Sequence, residues 1–206
     1  LAKQLGRPEI AREARSWLIV SVLVLVSYRT SQDNGLELHI GSCAGLSERC
    51  KATQGREYMS ILTPEEKAAA TRIQQSFDKQ AFVSMIGAEL GDVKMGAVDI
   101  LLPRNRSLDQ QYGFVHGGVL TAIADAAAGY AALTVSPDGV GVLTTELKVN
   151  FLRPASGSHL IAKGRVLKPG KTLSICTGDV FDIQDGAEKH VLTSLVTMMH
   201  VDGHTE

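Results

Sequence analysis

One long stretch near the middle of the chain carries a single formal charge. Between Asp109 and Pro137 the only charged side chain is that of Asp125, within an Ala- and Gly-rich segment whose pattern predicts a helix over about residues 117–133. A helix on a protein surface normally places Lys and Glu on its outer face, and this one has neither. The sequence therefore predicts a helix that is buried all round, on which the rest of the chain packs.

The helical repeat places Asp125 among small side chains. At about 100° per residue, the larger apolar residues fall on one stripe, which consists of Val119, Leu120, Ile123, Ala127 and Tyr130. Asp125 falls on the opposite side, in a face formed with Gly118, Thr121, Ala122 and Gly129. Burying an ionised carboxylate without partners is costly. Periodicity alone leaves two interpretations open, a buried functional carboxylate or a solvated side chain on an ordinary helix.

Two consecutive glycines open this helix directly after a histidine, in the order His116-Gly117-Gly118. The first N–H groups of a helix have no partner within the helix and lie at the positive end of its dipole. Glycine leaves these groups unobstructed, so that developing negative charge can be stabilised there. The Gly117 N–H is therefore a candidate oxyanion donor.

The residues around this helix start form a spaced motif. Gln110 is followed six residues later by His116-Gly117-Gly118, and Asp125 comes nine residues after His116. The motif resembles that of the hotdog-fold acyl-CoA thioesterases of the phenylacetate-degradation (PaaI-like) type, and the resemblance extends over about residues 59–201. It implies an α+β hotdog fold, in which an antiparallel sheet wraps around one long central helix. It also implies hydrolysis of an acyl-CoA to free acid and CoA, with no cofactor beyond the coenzyme A of the substrate.

The same resemblance assigns roles to individual residues. Asp125, supplied by the partner subunit, is expected to be a general base toward water or a nucleophile that forms an anhydride. The Gly117 N–H is expected to bind the oxyanion, and Gln110 to orient the water or the substrate carbonyl. His116 is expected to orient the loop and the carbonyl, and Thr144 to hydrogen-bond the water or Asp125. A Ser-His-Asp mechanism is not favoured, since no Gly-x-Ser-x-Gly elbow is present.

Aromatic and basic side chains are candidates for contacts with the acyl group and with coenzyme A. The candidates are Tyr112, Phe114 and Phe151 for the acyl end, and Lys168, Lys171 and Arg153 for the phosphates. Gly118, at the helix start, is a further candidate for contact with the substrate or coenzyme A. The aromatic group would suit an aryl or medium-chain acyl moiety, but the same side chains could belong to the core. The two lysines flank Pro169-Gly170, where relatives often hold the phosphates, although a solvated β-turn is the simpler interpretation.

Composition argues against several other functions. A net charge of −1 over 206 residues does not suit a nucleic-acid binder. Cys43, Cys50 and Cys176 are too few and too irregularly spaced for a disulfide framework, and no His completes a metal-ligand spacing. No metal is expected.

The first 58 residues differ from the rest of the chain. An apolar run at residues 17–26 follows Arg12 and Arg15, but it is short for a bilayer span and no small-x-small cleavage site follows it. We expect residues 1–58 to be an extension of uncertain order that the enzyme does not need, and residues 59–206 to form the thioesterase domain. A membrane or targeting extension is the alternative. For the enzyme itself a cytoplasmic location is expected, without membrane contact.

The remaining pattern predicts one sheet. Thr63-Pro64-Glu65-Glu66 is typical of a helix start, and that helix is expected to continue to about residue 79, with Ala69, Ile73, Phe77 and Phe82 on its apolar side. Strands are predicted near residues 86–90, 95–102, 142–152, 159–167, 172–183 and 190–201, and Asp185-Gly186 is predicted to form the turn between the last two. Such a sheet has unpaired edges that favour a second copy. A homodimer is therefore expected, and the resemblance adds a dimer-of-dimers tetramer.

Two other functions remain as alternatives. A hotdog hydratase or dehydratase would act on the same acyl thioesters, but its His/Asp or His/Glu spacing differs from that seen here. A non-catalytic acyl-CoA sensor would normally carry a DNA-binding helix-turn-helix, and the single capped helix near residues 64–79 does not supply one.

Overall fold

The computed structural model describes residues 63–202. The division between residues 58 and 59, the apolar run at residues 17–26, Cys43 and Cys50 lie outside the described residues, and the interpretations placed on them stay predictions. The helices are α1 (Pro64–Phe77), α2 (Ala81–Met85) and α3 (Gly117–Thr134). The strands are β1 (Glu89–Lys94), β2 (Ala97–Pro103), β3 (Val140–Phe151), β4 (His159–Lys168), β5 (Leu173–Gln184) and β6 (Ala187–Asp202).

Helix α1 begins as the sequence predicts and ends earlier. The Thr63 hydroxyl accepts the Glu66 N–H at 3.2 Å, and the Glu66 carboxylate accepts the Thr63 N–H at 2.9 Å, so the predicted capping box is confirmed. The helix ends at Phe77, and the separate helix α2 follows. The expected strand at residues 86–90 is therefore displaced to Glu89–Lys94.

The strands form one antiparallel six-stranded sheet in the order β1-β2-β4-β5-β6-β3. The predicted Asp185-Gly186 turn joins β5 to β6, and both of its residues have positive φ, as a type I′ hairpin turn requires. Helix α3 packs on the inner face of the sheet, mainly against β4, β5 and β2. The α+β hotdog architecture predicted from the sequence is thus confirmed, with β1 and β3 as edge strands.

Two paired glycines let α3 lie directly against the sheet. Gly164 of β4 pairs with Gly178 of β5. A Cβ at Gly164 would overlap the Ala127 carbonyl oxygen, and one at Gly178 would overlap the Ala124 carbonyl oxygen. The helix backbone therefore contacts the strand backbones, which only glycine permits at these two positions.

One face of α3 is left partly open by this packing. Leu120, Ile123, Ala127 and Tyr130 of the predicted apolar stripe are buried, whereas Val119 is half-buried. On the opposite face Gly118 is exposed, and Thr121, Ala122, Asp125 and Gly129 are half-buried. The expectation of a helix buried all round is therefore wrong for a single chain, because no element of residues 63–202 fully covers the small-residue face.

The C-terminal end of α3 is held by a side chain from α1. The Arg72 guanidinium donates to the Leu133 and Ser136 carbonyl oxygens at 2.6 and 3.1 Å, and it forms an ion pair with Asp138 at 3.0 Å. Carbonyl groups at the end of a helix have no partner within the helix. Arg72 supplies one and fixes α1 across the end of α3. Within residues 63–202, no helix is long and apolar enough to cross a membrane.

Candidate active site

Asp125 is held in place by a side chain of the edge strand. The Thr144 hydroxyl of β3 donates a hydrogen bond to Asp125 Oδ1 at 2.8 Å. Burial raises the pKa of the Asp125 carboxyl above its ordinary value, and the Thr144 hydrogen bond opposes this effect in part by stabilising the ionised form. The structure thus pairs the two residues that the sequence analysis proposed to meet, and the pKa of Asp125 is shifted upward, in the direction that makes a carboxylate a stronger base.

A β-bulge lies beside this contact. Thr144 of β3 pairs with Met198 of β6, and the register shifts between Thr144 and Glu146. A bulge places an extra residue in one strand and changes the direction of neighbouring side chains. Here Thr144 lies on the inner side of the sheet next to Asp125. The hydroxyl of the extra residue, Thr145, donates a hydrogen bond to the Thr197 carbonyl oxygen of β6 at 3.1 Å.

Asp125 lines a cleft of about 260 Å³, which we call the Asp125 cleft. Its walls come from the α1–α2 segment, from the small-residue face of α3, and from the inner face of β3 and β6. The lining residues are Ser76, Gln80, Phe82, Val83, Ala122, Asp125, Ala126, Gly129, Tyr130, Leu133, Val142, Thr144 and Met198. The contribution of the α1–α2 segment was not predicted. Phe82 in particular was expected on the apolar side of α1, but it lies on α2 and is 50% exposed.

The start of α3 is organised by His116. Its Nδ1 accepts the Gly118 N–H at 2.9 Å, so His116 is the N-cap of the helix. Because Nδ1 acts as an acceptor, the neutral imidazole carries its proton on Nε2. A Cβ at Gly118 would lie 3.0 Å from Nδ1, a tight contact. A larger residue at this position would therefore crowd the His116 cap. The cap supports an orienting role for His116. It also engages the Gly118 N–H, so this candidate contact residue does not have its N–H free for a substrate.

The Gly117 N–H remains available. It has no hydrogen-bond acceptor among residues 63–202, and it stands at the first position of α3. A Cβ at Gly117 would lie 3.1 Å from Cε1 and Cζ of the Phe151 ring, so the ring packs directly over this glycine. Phe151 therefore lies at the proposed oxyanion site rather than in the core.

The loop before α3 is braced from within. The Gln110 side-chain oxygen accepts the Tyr112 N–H at 2.7 Å, and Arg104 forms an ion pair with Asp109 at 2.6 Å. Arg104 also donates to the Gly113 carbonyl oxygen at 3.0 Å. The Gln110 oxygen is thus used within the loop, which leaves its amide N–H groups to meet a substrate. Arg104 was not identified in the sequence, because its partners are defined only by the folded loop.

Gly117 and Asp125 of one chain are too far apart to act on the same carbonyl group. They stand eight residues apart on α3, which corresponds to about 12 Å along a helix axis. A nucleophile and an oxyanion donor must both lie about 3 Å from the reacting atoms. One chain therefore presents two separate halves of such a site.

The candidate contacts for coenzyme A are likewise distributed over both ends of the sheet. Lys168 and Lys171 are exposed at the turn between β4 and β5, and the first residue of β5 pairs with Met199 of β6. Arg153 follows β3, whose last residue pairs with Leu192 of β6. Seven residues of extended strand separate these positions, which is about 24 Å. The three basic residues therefore do not form one phosphate site within a chain. Arg153 also donates to the His190 carbonyl oxygen at 2.9 Å.

The other candidate aromatic residues lie in the loop before α3. Tyr112 is 76% exposed, whereas Phe114 is half-buried. Neither side chain lines the Asp125 cleft. They lie on the Gly117 side of the arrangement, and within one chain they do not meet Asp125.

Other polar clusters of the described residues are structural. Asp182 is fully buried, and its oxygens accept the Ser156 and Gly157 N–H groups at 2.9 Å, which secures the loop after β3. Ser174 lies 2.8 Å from His200 Nε2 but is fully inaccessible, and the other His200 nitrogen faces the Ser136 hydroxyl rather than a carboxylate. This His200 pairing therefore lacks the features of a serine nucleophile.

Comparison with known proteins places this geometry in a family. Residues 112–189 match the sequence profile of the thioesterase superfamily. The structure superposes on a thioesterase family protein of Silicibacter pomeroyi with a TM-score of 0.64 and 36% identity, covering 66% of this chain and 99% of that one. A Halobacterium salinarum protein, provisionally named an esterase, is 32% identical over 125 residues, which cover 58% of this chain and 82% of that protein.

A more distant structure shares the fold alone. The PaaI protein from the phenylacetic acid degradation operon of E. coli superposes with a TM-score of 0.62 and 19% identity, covering 68% of this chain and 99% of that one. Together with the helix start and the half-buried carboxylate of Asp125, these similarities define the class. The chain belongs to the thioesterase superfamily, with a hotdog fold of the PaaI-like type, and it is a thioester hydrolase.

Proposed function

We propose that this chain is an acyl-CoA thioesterase that hydrolyses an aryl or medium-chain acyl-CoA to the free acid and CoA. The observation that carries the proposal is Asp125, which is the only charge on α3, has a raised pKa, and lines a cleft while bonded to Thr144. A relative that is 28% identical over 114 residues, from Listeria monocytogenes, is named 1,4-dihydroxy-2-naphthoyl-CoA hydrolase. That name supports an aryl acyl-CoA as the substrate class.

The two halves of the site would meet in a homodimer. The separation of about 12 Å along α3 supports a site shared between two chains, and Asp125 of one subunit is proposed to face Gly117 of its partner. Among residues 63–202, β3 is an edge strand, and it carries Thr144 in its first half and Phe151 at its last position. Antiparallel pairing of two β3 strands about a two-fold axis would bring opposite ends together. The homodimer, and a tetramer built from two of them, are proposals.

The chemistry follows from these positions. The Gly117 N–H stabilises the oxyanion that forms when the thioester carbonyl is attacked. In one route ionised Asp125 removes a proton from water, which attacks the carbonyl carbon. In the other route the carboxylate attacks directly and forms an anhydride that water then cleaves. Both routes release the CoA thiolate, which takes up a proton, and both require Asp125 to be ionised.

The remaining candidates would position the substrate. Gln110 is proposed to act through its amide N–H groups, and His116 through the loop that it caps. Tyr112 and Phe114 are proposed for the acyl end near Gly117. Lys168 and Lys171, from the subunit that supplies Asp125, and Arg153, from the subunit that supplies Gly117, would then approach the coenzyme A phosphates. A cytoplasmic location stays a prediction.

The test is a hydrolysis screen with variants at Asp125. Thiol release is followed for phenylacetyl-, hydroxyphenylacetyl-, benzoyl- and C4 to C12 acyl-CoAs. We expect Asp125→Asn to keep the fold and to lose roughly 10²- to 10⁴-fold in turnover, the range for general acid–base catalysis. Gln110→Ala should lose less, and Asp138→Asn, at an exposed carboxylate outside the cleft, should lose nothing.

Two results would contradict the assignment. Near-normal turnover by Asp125→Asn would remove Asp125 from the chemistry. A change in enoyl absorbance without release of thiol would instead identify a hydratase or dehydratase, and binding of acyl-CoA without either reaction would identify a sensor.

A further inference from the structure

A glutamine of the α1–α2 segment lines the Asp125 cleft. Gln80 is the N-cap residue of α2, yet its side chain makes no cap hydrogen bond. Instead its Nε2 donates to the Tyr130 hydroxyl at 2.7 Å, and Tyr130 belongs to the buried face of α3. The Gln80 side-chain oxygen has no partner among residues 63–202. Gln80 is an exposed residue, so a polar group with one acceptor atom that residues 63–202 do not use stands in the wall of the cleft, beside Phe82 and Val83.

A glycine provides the room between Gln80 and the catalytic carboxylate. Gly129 lies one helical turn after Asp125, on the same face of α3, and it lines the cleft. A Cβ at Gly129 would have Met198 Cε as its nearest neighbour, at 3.5 Å, which is an ordinary van der Waals distance. The glycine is therefore not required by internal packing, unlike Gly164 and Gly178. Its missing side chain widens the cleft.

The length of the cleft limits what can occupy it. Tyr130, which holds Gln80, is five residues beyond Asp125 on α3, or about 7.5 Å along the axis. That distance corresponds to about six bonds of an extended chain, or to one ring with a short linker. Phe82, half-exposed on α2, lines the same cleft and offers an aromatic surface for such a group.

We propose that the Asp125 cleft is the acyl subsite and that Gln80 and Gly129 determine its specificity. Gly129 admits a ring or a chain of about six bonds, and the Gln80 carboxamide hydrogen-bonds a hydroxyl group at the far end of it. This inference rests on the proposed acyl-CoA hydrolysis and adds to it the chemical class of the acyl group. Long unsubstituted alkyl chains would extend beyond Gln80 and leave its carboxamide without a partner.

The test compares pairs of substrates that differ only in a terminal hydroxyl group. The pairs are hexanoyl- and 6-hydroxyhexanoyl-CoA, and phenylacetyl- and 4-hydroxyphenylacetyl-CoA, with propionyl-CoA as a substrate too short to reach Gln80. One neutral hydrogen bond corresponds to a preference of about three- to tenfold in kcat/KM for the hydroxylated member. Gln80→Leu should abolish that preference, and it should lower kcat/KM less for propionyl-CoA than for the hydroxylated substrates. Gln75→Leu, at an exposed glutamine of α1 outside the cleft, should leave the preference intact.

A second variant tests the room at Gly129 without relying on Gln80. Gly129→Ala should fold normally because the new methyl group finds ordinary contact distances. It should lower kcat/KM at least severalfold for the ring-containing substrates, and it should lower kcat/KM less for propionyl-CoA. A melting temperature at or above that of the wild type would show that the effect is not unfolding.

The outcomes separate this inference from the proposed function. If the wild type hydrolyses none of these acyl-CoAs, the proposed function fails and the inference falls with it. If the wild type is active but Gln80→Leu keeps the preference, or lowers kcat/KM equally for every substrate including propionyl-CoA, Gln80 does not recognise the acyl group. Equal effects of Gly129→Ala on short and ring-containing substrates would likewise overturn the subsite assignment while the hydrolase activity stands.

Discussion

At the scale of single residues, Thr144 opposes the effect of burial on the pKa of Asp125. Burial raises this pKa, and the hydrogen bond from Thr144 lowers it. The Thr144 hydroxyl stabilises the carboxylate, so removing it should raise the Asp125 pKa further. We expect Thr144→Val to move the acidic limb of the kcat/KM pH profile to higher pH, because Asp125 must be ionised to act. Thr144→Ser keeps the hydroxyl and should retain the wild-type profile.

The control isolates the hydrogen bond from the shape of the side chain, since Val matches Thr in size and Ser does not. The profile is measured with one substrate under kcat/KM conditions. If Thr144→Val lowers activity by the same factor at every pH, Thr144 does not act through the ionisation of Asp125.

The raised pKa of Asp125 also predicts a cost in stability. A carboxyl group with a raised folded-state pKa binds its proton more tightly in the folded chain than in the unfolded one. Stability therefore falls as pH rises from the ordinary Asp pKa to the raised value, and the full cost is present above it. Asp125→Asn removes the charge, while its amide oxygen can still accept from Thr144. We expect this variant to melt at a higher temperature than the wild type at neutral pH.

The difference should disappear on acidification to below about pH 4, where the carboxyl group is protonated in both states. Thermal melts of the two proteins across this range give the measurement. If the wild type is more stable than Asp125→Asn at neutral pH, the surroundings of Asp125 fully offset the cost of burying its ionised carboxylate.

At the scale of secondary-structure elements, the contact between α3 and the sheet depends on two glycines. At Gly164 the added methyl group of an alanine would meet the backbone of α3, which cannot rotate away as a side chain can. Overpacking typically costs about 1–3 kcal/mol, and occasionally more. We expect Gly164→Ala to lie at or above the upper end of this range, measured by denaturant unfolding.

The matched comparison is Gly129→Ala, which adds the same methyl group to the cleft side of α3. It should be neutral or stabilising, because alanine is preferred over glycine within a helix. Similar losses at both positions would mean that α3 can shift on the sheet, and the close approach would then not be a fixed feature of the fold.

Local signals in the sequence predicted the parts of the fold that depend on local chemistry. Thr63-Pro64-Glu65-Glu66 fixed the start of α1, and Asp185-Gly186 fixed a hairpin, because capping and turn geometry involve only neighbouring residues. Helix α2 was missed, since five residues are too few for a helical period to show. The strand order, with β3 beside β6, was not specified by any strand pattern, because pairing joins distant residues.

Sequence analysis identified the candidate residues that lie in one segment of the chain, and it missed those that tertiary packing brings to the site. Asp125, Gly117 and His116 share a spaced motif, and Thr144 was placed by resemblance to the family. Gln80 and Arg104 have no motif, because their partners, Tyr130 and Asp109, are brought to them by tertiary packing and by the loop. The roles of Gly164 and Gly178 depend on the approach of a helix backbone, which sequence periodicity does not report.

At the scale of the whole molecule, the separation of Gly117 from Asp125 makes the subunit arrangement testable. Asp125→Asn and Gly117→Pro are each expected to be inactive, the latter because proline has no N–H. Proline is tolerated at the first position of a helix, and His116, with ψ of 135°, already has the extended backbone that a residue before proline requires. The Phe151 ring, half-exposed over Gly117, must turn aside.

Mixed dimers of the two variants would hold one site with both lesions and one site with neither. Activity should therefore recover toward the statistical share once subunits exchange, with the formation of mixed dimers checked by native mass spectrometry. Dimers of each variant alone serve as controls. If confirmed mixed dimers remain as inactive as the parents, the catalytic groups come from one chain.

The cap on α3 has a consequence for how the reaction ends. His116 Nδ1 is occupied by the Gly118 N–H, so the groups of this loop proposed to meet the substrate are donors, namely the Gly117 N–H, the His116 Nε2–H and the Gln110 amide N–H groups. A group of donors that holds a transient oxyanion also attracts a stable carboxylate. The free acid carries that charge permanently, whereas the thioester does not. Departure of the acid would then limit turnover as product accumulates, and the acids that inhibit best would be those whose thioesters are the preferred substrates.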